Sequence, residues 1–210
     1  MCLLPSPLAT PAVADRLAAE LEDRGHQVVV ARGAGADTSH LLANFVAAAS
    51  RADVVIPHSN AGRFGPAVAA EVGATLVCLD SLLPGLEPDA QWVEFLRSRE
   101  LSDGLLARWS TWWPRQDIQS VVGEHWDLLT TDEPRVPLRL LIEEPPAPAS
   151  WLARRSGYIA FGHTYAEQTA VAEENGWEVR RLEGEHLHLL TAPDEVAETL
   201  LEVISLLEER

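Results

Sequence analysis

Lysine is absent from all 210 residues, and the sixteen basic side chains are all arginine. Without an ε-amine the chain cannot form a Schiff base with a carbonyl substrate or supply a Walker-type phosphate lysine. Positive charge is scarce as well. Thirty-two acidic against sixteen basic side chains leave a formal net charge of −16, a field that repels phosphate backbones and anionic bilayers. We therefore expect neither nucleic acid nor membrane as a partner. No apolar stretch approaches the roughly 18 residues of a membrane span, and no basic segment leads into an apolar one as in a signal peptide. The expected setting is cytoplasmic. Only two cysteines occur, Cys2 and Cys78, each inside an apolar run where a thiol acts as a small hydrophobe. Histidines and cysteines show no metal-ligand spacing. Gly33-Ala-Gly35-Ala-Asp37 lacks the third glycine of a dinucleotide fingerprint. The expectation is an enzyme or binding protein with neither metal nor cofactor.

What is present is alternation. The chain is of single-domain length, 1–210. Short apolar runs at 1–4, 26–31, 53–59, 74–80, 156–162 and 177–182 read as strands, the second as one covered on both faces. Between them lie helical patterns at 11–25, 39–50 (capped by Thr38), 62–72, 165–175 and 193–208. Strands alternating with helices predict an α/β three-layer sandwich around a mostly parallel six-stranded sheet. The alternation lapses from 81 to 150, which holds Trp92, Trp109, Trp112, Trp113 and Trp126 among short helical pieces. That stretch is expected to be a small helical cap inserted in the domain.

The most informative stretch is Asp53-Val-Val-Ile-Pro57-His58-Ser59-Asn60-Ala61-Gly62. A β-branched run ends in a hydroxyl residue among small neighbours, and an alanine-rich helical pattern follows at once. The chain must reverse tightly at Ser59, lifting its oxygen above the sheet edge beside backbone N–H groups at a helix start. Pro57-His58-Ser59-Asn60-Ala61 resembles the GxSxG nucleophile elbow of the α/β-hydrolases, with Pro57 for the first glycine and Ala61 for the last. Leu182-Glu-Gly184-Glu-His186-Leu-His188, with Pro193 opening the last helix, is similar to that family's terminal histidine segment. His186, rather than His188, has the family spacing to the proline.

The resemblance implies an α/β-hydrolase-like fold with Ser59 as nucleophile and His186 as general base. The family's acid usually follows the fifth strand of this chain, but Phe161-Gly-His163-Thr-Tyr165-Ala-Glu167 has no aspartate. Asp80, ending the fourth strand, is the preferred third member, with Glu143, Glu144 and Glu167 in reserve. One oxyanion donor, the Asn60 N–H, comes with the elbow. The other normally lies after the first strand, where Pro5-Ser6-Pro7-Leu8 places a residue without an N–H, so the Ser6 or Asn60 side chain would have to substitute. Trp112 and Trp113 are the preferred substrate contacts in an apolar pocket.

These residues point first to a serine hydrolase of esterase, thioesterase or lactonase type acting on a small, mostly apolar acyl substrate. The altered oxyanion loop and displaced acid keep a non-hydrolytic enzyme of the same fold (cyclase, lyase or dehydratase of a biosynthetic pathway) as the alternative. A catalytically silent ligand-binding module is the third reading, favoured only if Ser59 and His186 lie beyond hydrogen-bond reach. The assembly state is open, a homodimer included.

Overall fold

The computed structural model describes residues 1–32, 35–86 and 90–209. Gly33 and Ala34 of the glycine-containing stretch, and residues 87–89 of the expected cap, lie outside the described residues. In chain order the strands are β1 (Cys2–Leu4), β2 (Val29–Val30), β3 (Val54–Ser59), β4 (Thr75–Ser81), β5 (Gly157–Phe161) and β6 (Glu178–Leu182). All neighbours pair in parallel, in the order β2-β1-β3-β4-β5-β6. The helices that flank the sheet are α1 (Asp15–Asp23), α2 (Thr38–Ala49), α3 (Gly65–Val72), α8 (Ala166–Glu174) and α10 (Pro193–Glu208).

The period-2 rule of strands divides the core. Leu3, Val54, Ile56, Val77, Leu79, Ile159 and Phe161 face Leu17 and Leu21 of α1 and Val196, Leu200 and Val203 of α10. Their strand neighbours Cys2, Leu4, Val55, Leu76, Cys78, Tyr158 and Ala160 face Leu41, Phe45, Val68 and Ala172 of α2, α3 and α8. Both faces are covered, as an all-parallel sheet requires. This is the expected three-layer α/β sandwich.

Two details depart from the sequence reading. The second strand is only two residues long, with Val29 49% exposed, because it pairs on one side alone and forms the sheet edge. The cap of α2 is Asp37, not Thr38; its carboxylate accepts from the His40 N–H at 2.9 Å, the better acceptor for a helix's unpaired donors.

Between β4 and β5 the chain forms α4 (Ala90–Ser98), a 3₁₀ turn at Trp109–Thr111, α5 (Arg115–Val122), α6 (Trp126–Thr130) and α7 (Arg139–Ile142). A short α9 (His188–Thr191) precedes α10. No described helix is long and apolar enough to cross a membrane.

Candidate active site

Ser59 ends β3, and a 3₁₀ turn at Asn60–Arg63 begins with the next residue. Its backbone is held at φ 59°, ψ −130°, a conformation that non-glycine residues rarely adopt and that structures sustain where surroundings over-determine it. Those surroundings are visible. A Cβ added at Gly62 would lie 2.0 Å from the Leu82 carbonyl oxygen, and one at Gly65 would lie 2.8 Å from Pro57 Cγ. The helix start thus crosses β4 and β3 at distances only glycine permits. Pro57 itself pairs with Leu4, the last residue of β1, where that ladder ends.

Asp80 lies one residue before the end of β4, fully buried, with φ 34°. Its Oδ1 accepts the Phe161 N–H at 3.0 Å. Tyr158, reaching across from β5, accepts from the Ser81 N–H at 3.0 Å and donates to the Ser81 carbonyl at 2.7 Å. This clamp fixes the backbone beside the carboxylate. Burial, with the Asp80 charge adding to it, pushes the Tyr158 phenol upward, so it stays neutral in that role.

His186 precedes α9 and completes the arrangement. Its Nδ1 is 2.6 Å from Asp80 Oδ2, and its Nε2 is 2.9 Å from Ser59 Oγ. The structure brings Ser59, His186 and Asp80 into one hydrogen-bonded line. His58 supports it from beneath: its Nε2–H donates to the His186 carbonyl at 3.0 Å, and the two rings stack at 4.8 Å and 22°. Burial, reinforced by proximity to His186, pulls His58 down to about 3, so this second imidazole stays neutral. Tyr165 stands on another side, its hydroxyl 3.4 Å from Ser59 Oγ and its ring edge-on to His186 at 5.3 Å.

A cavity of about 270 Å³, including its open mouth, is lined by Ser6, Leu8, Ala9, His58, Ser59, Trp109, Leu129, His186 and Leu187. Next in the chain to Trp109, Ser110 is bound by Glu133, a buried carboxylate that accepts the Ser110 N–H at 2.7 Å and the Ser110 hydroxyl at 2.6 Å. Burial raises the Glu133 carboxyl, and the two Ser110 hydrogen bonds oppose that shift. Across the cavity Ser6 Oγ accepts the Leu8 N–H at 3.3 Å.

Other sequence candidates lie elsewhere. Trp112 is buried in an aromatic cluster with Trp92, Phe95 and Trp113, its Nε1–H on the Ala107 carbonyl. Neither Trp112 nor Trp113 lines the cavity; Trp112 is buried among its aromatic neighbours, and Trp113, though in contact with them, is exposed. Glu144 faces Arg63 and the Gly85 N–H, Glu143 faces the Thr38 hydroxyl, and Glu167 is exposed. His188 is buried with its Nε2 2.8 Å from Glu195. Among the described residues no group of three or more histidine, cysteine or acidic side chains could hold a metal. The sequence holds no signal for Tyr165, which only the fold brings to Ser59, and none that separates Trp109, in the cavity wall, from Trp112 and Trp113.

The chain has the α/β-hydrolase fold. Solved structures similar to it include an extracellular α/β-hydrolase from a Paenibacillus species, described as sharing structural and functional homology with tobacco salicylic acid binding protein 2 (15% identity, 96% of this chain and 97% of that one, TM-score 0.74). Tomato methylketone synthase I matches at 16% identity over 99% and 98% of the two chains, TM-score 0.70. The thioesterase domain of the curacin biosynthetic pathway matches at 15% over 95% and 90%, TM-score 0.63. No protein-family model and no curated protein sequence matches the chain.

Proposed function

We propose that this chain is a cytoplasmic serine hydrolase that cleaves an ester, thioester or lactone with a small, mostly apolar acyl part. The observation that carries the reading is the unbroken path from Asp80 Oδ2 through His186 to Ser59 Oγ, with steps of 2.6 and 2.9 Å. In this reading Ser59 attacks the acyl carbon, and its proton passes to His186 Nε2. The leaving group takes that proton, and a water then repeats the sequence to release the acid. Asp80 holds the imidazole tautomer and stabilises the imidazolium.

The oxyanion is received by the Asn60 N–H and the Ser6 hydroxyl. Ser6 Oγ accepts from Leu8 and lines the cavity, so its own proton is available to serve as the second donor. The character of the acyl part follows from the cavity wall, which polar groups reach only at Ser6, His58, Ser59 and His186. Leu8, Ala9, Trp109, Leu129 and Leu187 make its wall apolar.

A fluorophosphonate probe tests the proposal directly. It should label the protein at Ser59, and Ser59→Ala should abolish labelling; no labelling of the unaltered protein overturns the reading. One observation favours a second reading. With Pro7 lacking an N–H and the Leu8 N–H turned onto Ser6, neither of these two residues in the loop after β1 offers a free backbone donor. A non-hydrolytic step using Ser59 and His186 as acid and base needs no oxyanion hole. The tomato methylketone synthase neighbour is consistent with more than one chemistry on this fold. Turnover of short acyl p-nitrophenyl esters, lost in both Ser59→Ala and His186→Ala, would decide for hydrolysis.

A further inference from the structure

Counting protons around Ser59 leaves one group without a role. The Asp80 carboxylate can only accept, so its 2.6 Å contact places a proton on His186 Nδ1. Nε2 then carries the lone pair, and the Ser59 hydroxyl donates to it across 2.9 Å. The single Ser59 proton is thereby committed. Toward the Tyr165 hydroxyl, 3.4 Å away, Ser59 Oγ has only lone pairs to offer. Tyr165 is the donor of that hydrogen bond. Burial pushes its phenol up to about 12 against the opposing effect of the Ser59 contact, so the proton is retained through the neutral range.

Position adds a second argument. Tyr165 lies outside the cavity that Ser59 and His186 share with Leu8, Trp109 and Leu129. It is half-buried, and the chain around it, His163, Thr164 and Ala166, is exposed. An acyl group seated in the cavity directs the other substituent of the reacting carbon out of it, toward His186 Nε2, which must return the proton. The Tyr165 hydroxyl, 3.4 Å from Ser59 Oγ and outside the cavity lining, is within reach of a group that leaves in that direction.

We infer that Tyr165 is a catalytic residue of this site: its hydroxyl, hydrogen-bonded to Ser59 Oγ at rest, transfers that hydrogen bond to the leaving-group oxygen and so selects oxygen esters over thioesters. The inference rests on the serine-hydrolase reading. As the tetrahedral adduct collapses, the carbon–oxygen bond breaks and its electron pair moves onto the departing oxygen. That oxygen takes the proton from His186 Nε2, while Tyr165 keeps its own and stabilises the developing charge. A departing thiolate sulfur is a weak acceptor and draws little benefit. The substrate class narrows to carboxylic esters or lactones with a poor alcohol leaving group.

Tyr165→Phe keeps the ring and its edge contact and removes only the hydroxyl. kcat/KM would be measured for one short acyl group joined to leaving groups from p-nitrophenol to simple alcohols, and for the matching alkyl thioester. We expect a loss of roughly 10- to 100-fold on the alkyl esters but under about 3-fold on the p-nitrophenyl ester and thioester, because one hydrogen bond to developing charge is removed. The slope of log kcat/KM against leaving-group pKa should therefore steepen. Equal loss across the series, or none, overturns the inference. Fluorophosphonate labelling separates the two levels. A labelled enzyme with a uniform loss leaves the hydrolase reading standing without Tyr165, whereas an unlabelled wild-type protein removes both. If Tyr165→Phe does not fold, 3-fluorotyrosine placed at 165 is a stronger donor and should flatten the same slope; an unchanged slope is again a refutation.

Discussion

Replacing Asp80 by asparagine isolates the electrostatic part of the site from its shape. Asparagine matches aspartate in volume and is among the residues that accept the φ of 34° found there. Its carbonyl oxygen can still accept the Phe161 N–H, now 3.0 Å from Oδ1. Its NH₂ must then face His186 Nδ1, 2.6 Å from the present Oδ2. Two donors cannot face each other, so the imidazole takes the other tautomer: Nδ1 becomes the acceptor and Nε2 acquires the hydrogen, turned toward Ser59 Oγ. The base is then blocked at the moment Ser59 needs it. A tautomer trapped in this way costs about 10⁴-fold in kcat, or roughly 5.5 kcal/mol of barrier. Steady-state turnover of a short p-nitrophenyl ester and the rate of fluorophosphonate labelling should fall together, while the thermal midpoint moves little. An Asp80→Asn enzyme within tenfold of wild type, with Glu143→Gln, Glu144→Gln or Glu167→Gln more damaging, would refute the assignment of Asp80.

Further outcomes follow from other parts of the site. Ser6→Ala should lower kcat by about 10²- to 10³-fold with little change in KM, the expected cost of one oxyanion donor; an unchanged kcat on the same ester removes Ser6 from the oxyanion hole. His58 is held down at about 3 against an ordinary 6.5, so between those values the unfolded chain binds a proton that the folded one refuses. The stability from keeping it neutral is present above pH 6.5 and is lost as pH falls, by about 2 kcal/mol at pH 5. Urea unfolding at pH 7.5 and pH 5 should show that the difference shrinks in His58→Gln, and an equal pH dependence in both proteins would contradict it. Gly62→Ala should destabilise by on the order of 3 kcal/mol, because its Cβ meets the Leu82 carbonyl oxygen at 2.0 Å and backbone cannot yield as a side chain can. Thermal unfolding reads this, and a wild-type midpoint would mean that the helix start slides freely.

How much of this was legible in the sequence depends on how local the cause is. The elbow was readable because a β-branched run, a serine among small residues and a helical pattern are contiguous, and tight reversal is dictated by neighbours in the chain. The parallel sheet was readable from alternation for the same reason. The length of β2 was not, since an edge position is fixed by which strand comes to lie beside it. The meeting of Asp80 and His186 joins residues 106 positions apart; the sequence supplied a carboxylate at a strand end, and only the fold could supply the distance. Trp109 and Trp112 are chemically alike in the sequence. What separates them is tertiary packing: Trp109 lines the cavity, while Trp112 packs against Trp92 and Phe95.

Pro57 carries a lesson about how such elbows are recognised. The backbone tolerates a ring at the first elbow position because Gly65, eight residues later, leaves room for it. The demand is for empty space at a crossing, and any of the crossing segments can provide it. Patterns spelled as fixed letters at fixed spacings will pass over chains that have moved the vacancy from strand to helix, whereas a search for paired deletions of bulk across the crossing would retrieve them.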